Sequence, residues 1–100
     1  MAANGTSPDL FDNALISPTV QSLLPPNYTI RPLRQSDYKI GFLDCLRVLT
    51  TVGDITESAW DERYKWMSTQ GAGGYYILVI EDEANKQIVG TGALIVERKL

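Results

Sequence analysis

Three stretches of this chain carry side chains that could do chemistry. The first is Thr50-Thr51-Val52-Gly53-Asp54, where two hydroxyls and a glycine interrupt a helical pattern. A hydroxyl both donates and accepts, so a pair of them at a helix end suits a hydroxylated ligand. Read for structure alone, the stretch is a helix–helix connection with Gly53 free to take a positive φ as a C-terminal cap. The second is Gln87-Ile88-Val89-Gly90-Thr91-Gly92, which matches Q-x-x-G-x-G letter for letter. That pattern cradles a pyrophosphate when it links a strand to a helix, because its N–H groups then face the anion. Here Ala93 to Val96 continue a strand, so Gly90 and Gly92 read as strand glycines that mark a bulge or a close approach of another backbone. The third is Glu97-Arg98-Lys99. It is either a solvated strand end that blunts aggregation or a cationic grip on an anion, with Lys99 as a point charge toward phosphate.

Composition removes several kinds of chemistry. The 100 residues hold no His and one cysteine, Cys45, so His-based triads, His-containing zinc sites and an internal disulfide have no residues to build them. Cys45 has no cationic neighbour in its helical stretch and reads as a small core hydrophobe rather than a reactive thiol. A formal charge of −3 offers no basic stripe for a nucleic-acid backbone. No apolar run approaches the roughly 20 residues that span a bilayer. The opening Met1-Ala2-Ala3-Asn4-Gly5 lacks a basic and then apolar leader, so a cytoplasmic location is expected.

These stretches need a scaffold, and the pattern supplies one. Residues 1–12 are polar and read as a disordered arm, while Leu10-Phe11 with Leu15 and Ile16 suggest a segment that docks on a body. Ser17-Pro18 starts a short helix, Ser as N-cap and Pro at the first helical position, with Val20, Leu23 and Leu24 as its apolar side. Asn27 to Leu33 alternates with period two and is a short strand, and Pro32 fits an edge better than a centre. Ser36-Asp37 opens a helix whose stripe is Tyr38, Phe42, Leu46 and Leu49, broadened by Leu43, with Asp37 in the first turn to suit the dipole. Thr56 caps a second helix with Trp60, Tyr64 and Met67 inward and Arg63 and Lys65 placed to pair with acids. Trp66 lies off that stripe, as a rim or an interface residue. Gly71-Ala72-Gly73-Gly74 leads into two strands, Tyr75 to Glu81 and Ile88 to Glu97, which form an antiparallel hairpin. The class is α+β, one domain over residues 27–100 behind an extension over residues 1–26.

Strand, two helices and a hairpin are the opening of the GNAT acetyltransferase fold. Within it the chain resembles the glucosamine-6-phosphate N-acetyltransferases, particularly the fungal members. The residues that carry the resemblance are Tyr28-Thr29-Ile30-Arg31-Pro32-Leu33, Leu46-Arg47-Val48-Leu49-Thr50-Thr51-Val52-Gly53, and Ile88-Val89-Gly90-Thr91-Gly92-Ala93-Leu94-Ile95-Val96-Glu97-Arg98-Lys99. The resemblance covers about residues 27–100, and its two loop-bearing stretches are specific to this family.

The resemblance implies transfer of acetyl from acetyl-CoA to the amine of glucosamine 6-phosphate, on the way to UDP-N-acetylglucosamine. It implies that Thr50 contacts the sugar phosphate, that Lys99 and Leu100 line the sugar site, and that the complete enzyme is a homodimer. It assigns no catalytic residue, no coenzyme-binding residue and no metal within these 100 residues. The family's coenzyme A loop follows the next strand and opens a helix, one strand later than the Gln87–Gly92 match. The chain therefore reads as an N-terminal fragment that carries part of the sugar site, and the 100 residues alone are expected to be inactive. The alternatives are a GNAT with another amine acceptor, and a short non-catalytic chain whose Ile88–Val96 strand pairs with a partner.

Overall fold

Tyr28 to Pro32 form β1 because the alternation Tyr-Thr-Ile-Arg-Pro puts one set of side chains on each face of a sheet. The computed structural model describes residues 8–47 and 53–96. In chain order they form a 3₁₀ helix (Asn13–Leu15), α1 (Pro18–Ser22), β1 (Tyr28–Pro32), a second 3₁₀ helix (Gln35–Ile40), α2 (Phe42–Arg47), α3 (Glu57–Ser68), β2 (Tyr75–Asp82) and β3 (Gln87–Ile95).

The strands form one antiparallel sheet in the order β1-β2-β3. Ile30 lies opposite Ile80, and Leu78 lies opposite Gly92. β1 is an edge strand, as Pro32 requires, since proline has no N–H to give a ladder. The register of β2 on β3 slips between Ile80 and Glu81, where Ile80 faces Gly90 but Glu81 faces Ile88, leaving Val89 as the extra residue of a bulge. A Cβ on Gly90 would lie 3.3 Å from Ile80 Cδ1, so the bulge expected near that glycine is present, while what approaches it is a side chain rather than another backbone. The Gln87–Gly92 match is strand throughout and forms no helix N-terminus.

Helices α2 and α3 cover one face of the sheet. Leu33, Phe42, Leu43, Trp60, Tyr64, Met67, Val79 and Ile88 make the buried core. Trp60 sits at its centre, 5.3 Å from the Phe42 ring and 5.9 Å from the Tyr64 ring, and its indole N–H donates to the Gln35 carbonyl at 2.7 Å. Aromatic pairs at this spacing add to what burial alone contributes. Thr56 caps α3 as expected, its Oγ1 accepting from the Ala59 N–H at 3.1 Å.

Four expectations need correction. The stretch from Ser36 onward is not one helix. It breaks at Gly41, whose φ of 96° ends the 3₁₀ helix before α2 begins, whereas Gly53 does not adopt a positive φ. Asp37 does not merely sit in a first turn. It is fully buried, takes the Arg31 guanidinium, and accepts from the Arg34 N–H at 2.8 Å. Residues 8–12 are not a free arm, because Asp9 bonds Arg34 at 2.7 Å and Phe11 meets Tyr76 edge-on at 5.4 Å. In α1, Ser17 caps as expected, yet Val20 and Leu23 are exposed rather than packed on the body.

Candidate functional site

Of the three residues expected at a sugar site, Thr50, Lys99 and Leu100 all lie outside the described residues. Leu49, the last residue of the expected α2 stripe, does so as well. The surroundings of these positions are described, and they fix where the two segments leave and rejoin the body.

Arg47, the last residue of α2, spans the Thr50 segment. Its Nη1 donates to Asp44 at 2.6 Å, and its Nη2 donates to the Gly53 carbonyl at 3.4 Å and lies 4.0 Å from Asp54. Cation and acids thus tie the end of one helix to the approach of the next. Asp54 is fully solvated, so that longer contact contributes little to stability. Tyr38 fixes the far side, its hydroxyl donating to the Ile55 carbonyl at 2.8 Å. The Lys99 segment leaves from Val96, whose N–H donates to the Gly74 carbonyl at 2.8 Å. That bond extends the hairpin ladder past β3 and sets the exit beside the start of β2.

A groove of about 360 Å³ joins the two places. Leu46 and Ile55 flank the Thr50 segment at one end, Ile95 lies next to the exit of β3, and Met67, Tyr75 and Ile77 form the floor. Its lining is mostly apolar, and Arg63 is its one cation among the described lining residues. The Arg63 guanidinium lies 5.0 Å from the Trp66 ring centre and 5.6 Å from that of Tyr75, not on the acids that its spacing suggested. Trp66 is therefore the outer wall of an aromatic seat for a cation, and this was missed from sequence because the acids of the same helix, Glu57 and Asp61, were taken as the partners of Arg63. The only sequence signal was an arginine three residues before a tryptophan on one helix face.

Cys45 is half-buried against the core, and burial pushes its thiol up, away from nucleophilic character. Among the described residues, no group of three or more His, Cys, Asp or Glu could hold a metal ion, and no helix is long and apolar enough to cross a membrane.

No family model matches the chain. A probable glucosamine 6-phosphate N-acetyltransferase from Drosophila melanogaster is 38% identical over 74 residues, which are 74% of this chain and 33% of that protein. The glucosamine 6-phosphate N-acetyltransferase of Candida albicans is 39% identical over 79 residues, 78% of this chain and 51% of that protein. The crystal structure of glucosamine-6-phosphate N-acetyltransferase from Arabidopsis thaliana superposes with a TM-score of 0.66 at 35% identity, over 72% of this chain and 48% of that one. Sequence and fold are thus similar to those of glucosamine 6-phosphate N-acetyltransferases over about half of their length or less. The three-stranded sheet with its helices is of the GNAT type, α+β as the element order implied. The chain spans about a third to a half of the length of the relatives it matches.

Proposed function

We propose that this chain is part of an enzyme that moves acetyl from acetyl-CoA to the amine of glucosamine 6-phosphate. The observation that carries the reading is the joint match, 39% identity to the Candida enzyme and a shared fold with the Arabidopsis one at 35% identity. In such a transfer the neutral amine attacks the thioester carbonyl, a bond from nitrogen to carbon forms, and the carbon–sulfur bond breaks to release the thiolate. Most of the acceleration comes from holding amine and carbonyl in line and from donors aimed at the carbonyl oxygen.

This chain's share is acceptor positioning. Thr50 is assigned a hydrogen bond to the sugar phosphate, Lys99 a point charge beside it, and Leu100 a place in the lining. The groove supports the assignment because its two ends adjoin the segments that hold these residues, and Arg63 adds a cation between them. Acetyl-CoA is the co-substrate, with its binding residues assigned to parts of the protein outside these 100 residues. The complete enzyme is read as a cytoplasmic homodimer that feeds UDP-N-acetylglucosamine synthesis, with residues 1–26 an extension and 27–100 the first part of its GNAT domain.

The test is acetyl-CoA-dependent turnover of glucosamine 6-phosphate by the complete protein. Thr50→Ala is expected to raise the sugar-phosphate KM about tenfold, the loss of one hydrogen bond to a charged group. An unchanged KM would overturn the sugar-site assignment, and turnover by the 100-residue chain alone would overturn the division of labour. The open β3 edge, with Val89, Leu94 and Ile95 exposed, favours a second reading as a strand-pairing partner. Failure to co-elute with a complete acetyltransferase would remove it.

A further inference from the structure

Among the described residues, the connection from α2 to α3 is hydrogen-bonded from outside at two points, and the two are unequal. At Gly53 the carbonyl accepts from Arg47 Nη2 at 3.4 Å, a long bond from a partly exposed side chain. At Ile55 the carbonyl accepts from the Tyr38 hydroxyl at 2.8 Å, a short one. Residues 53–56 belong to no helix or strand, and the ladder of α3 opens with the Trp60 N–H donating to the Thr56 carbonyl at 2.9 Å. The Ile55 carbonyl lies just ahead of that ladder and takes its partner from a side chain instead.

Tyr38 is itself firmly placed. Its ring stacks on that of Trp60, with centroids 6.3 Å apart. It belongs to the 3₁₀ helix Gln35–Ile40, which is fastened on two sides. Toward the sheet, the fully buried Asp37 takes the Arg31 guanidinium of β1. Toward α3, the Gln35 carbonyl accepts from the Trp60 indole N–H at 2.7 Å, and the Gln35 carboxamide donates to Asp61 at 2.8 Å. The first strand thus fixes a platform, the platform fixes a hydroxyl, and the hydroxyl fixes the backbone where α3 begins. Ile55 is in turn a wall residue of the groove, at the end that flanks the Thr50 segment.

We propose that Tyr38 is a positioning residue for the acceptor, acting through the Ile55 carbonyl to set the sugar-phosphate contact assigned to Thr50. The inference rests on the acetyltransferase reading of the site, and every contact it uses lies between Arg31 and Asp61. A shift of about 1 Å, caused by a residue remote from the chemistry, can cost a reaction about a hundredfold in rate. A hydroxyl that served stability alone would behave differently. Its loss would lower the amount of active enzyme and leave the KM for each substrate in place.

The experiment compares Tyr38→Phe with the parent in the complete protein. Phe keeps the ring against Trp60 and removes only the donor. The KM for glucosamine 6-phosphate is expected to rise about fivefold, the loss of one neutral hydrogen bond, while the KM for acetyl-CoA stays within about twofold. In the Thr50→Ala background Tyr38→Phe should add nothing to the KM, because the two residues act as a unit. Incorporating para-aminophenylalanine at position 38 restores a donor on the same ring and should bring the KM back toward that of the parent. Lys39→Ala is the control, since Lys39 joins the same 3₁₀ helix to α3 through a separate, exposed pair with Glu57 at 3.5 Å, and its KM should not move. An unchanged KM in Tyr38→Phe, with Thr50→Ala still raising it, overturns the proposal and leaves the acetyltransferase reading standing. So do a further rise in the double variant, an equal rise in Lys39→Ala, and a failure of the restored donor to lower the KM. An unchanged KM in Thr50→Ala overturns the reading of the site itself, and the proposal with it.

Discussion

The Arg31 guanidinium holds the Asp37 carboxylate end-on through both terminal nitrogens, Nη1 to Oδ2 at 2.9 Å and Nη2 to Oδ1 at 2.7 Å. Glu81 closes the cluster, accepting from Nη2 at 2.9 Å and from Nε at 3.2 Å. One side chain from β1 thereby joins the following 3₁₀ helix to β2, with every buried side-chain nitrogen and oxygen among the described residues partnered. Asp37 has no exposed surface, so its charge is tolerated only because Arg31 and the Arg34 N–H meet it. Arg31→Met is expected to cost about 3–5 kcal/mol in urea unfolding, the range for stranding a buried charge. Arg31→Lys should recover only part of this, because an ammonium cannot make the two parallel bonds to Asp37.

Gly41 separates the 3₁₀ helix from α2 at a φ of 96°. A Cβ there would meet Gln87 Cγ at 3.6 Å, an ordinary contact, so the strain of substitution lies in the backbone. Gly41→Ala should cost about 1–2 kcal/mol in thermal or urea unfolding, and Gly41→Asn less, since asparagine tolerates that conformation better.

Burial, and after it the carboxylates of Asp9 and Asp37, push the Tyr64 phenol up to about 12 from an ordinary 10. The folded state then keeps its proton where the unfolded chain loses it. Stability is unaffected below pH 10, falls as pH rises from about 10 to 12, and levels off above that, with a total loss of order 2 kcal/mol. Phenolate absorbance should show one tyrosine titrating late. Tyr64→Phe should flatten this part of the stability curve.

Gly71 packs under the Trp66 ring, where a Cβ would lie 2.7 Å from Cζ3. Trp66 is partly exposed and can swing outward, so Gly71→Ala should cost only about 1 kcal/mol. Its clearer effect is on the groove. The Arg63 seat on Trp66 and Tyr75 should open, and tryptophan fluorescence should shift toward longer wavelength as Trp66 enters water.

What could be read from the residues alone followed from local rules. The Ser17 and Thr56 caps, the inward Trp60, Tyr64 and Met67, the edge position of Pro32 and the hairpin each depend on side chains within a few positions of one another. The non-local features were not legible. Asp37 looked like a dipole acid because Arg31 lies in a different element and Glu81 fifty residues from Arg31. The apolar Leu10-Phe11 signalled docking, but the partners of residues 9–11 were hidden, because Arg34, Leu33 and Tyr76 lie far along the chain from Asp9, Leu10 and Phe11. At the site, the resemblance supplied Thr50, Lys99 and Leu100, whereas the Arg63 seat emerges only when Tyr75 is brought against α3.

The extra residue at Val89 also decides which way the rest of β3 faces. Ile88 shares a face with Glu81 and Val79, on the helix side, and two residues later strict alternation would put Gly90 and then Gly92 there too. Instead Thr91, Ala93 and Ile95 pair with Val79, Ile77 and Tyr75 on that side, while the two glycines and Leu94 turn to Ile80, Leu78 and Tyr76. Strand length is therefore as much a part of this fold's code as composition. Deleting the single codon for Val89 would remove the bulge without turning the strand over, leaving Glu81 opposite Ile88, Ile80 opposite Gly90 and Val79 opposite Thr91 in an unbroken ladder. A strand that kept Val89 in strict alternation would instead put Gly90 and Gly92 under the helices and turn Thr91, Ala93 and Ile95 to the opposite face.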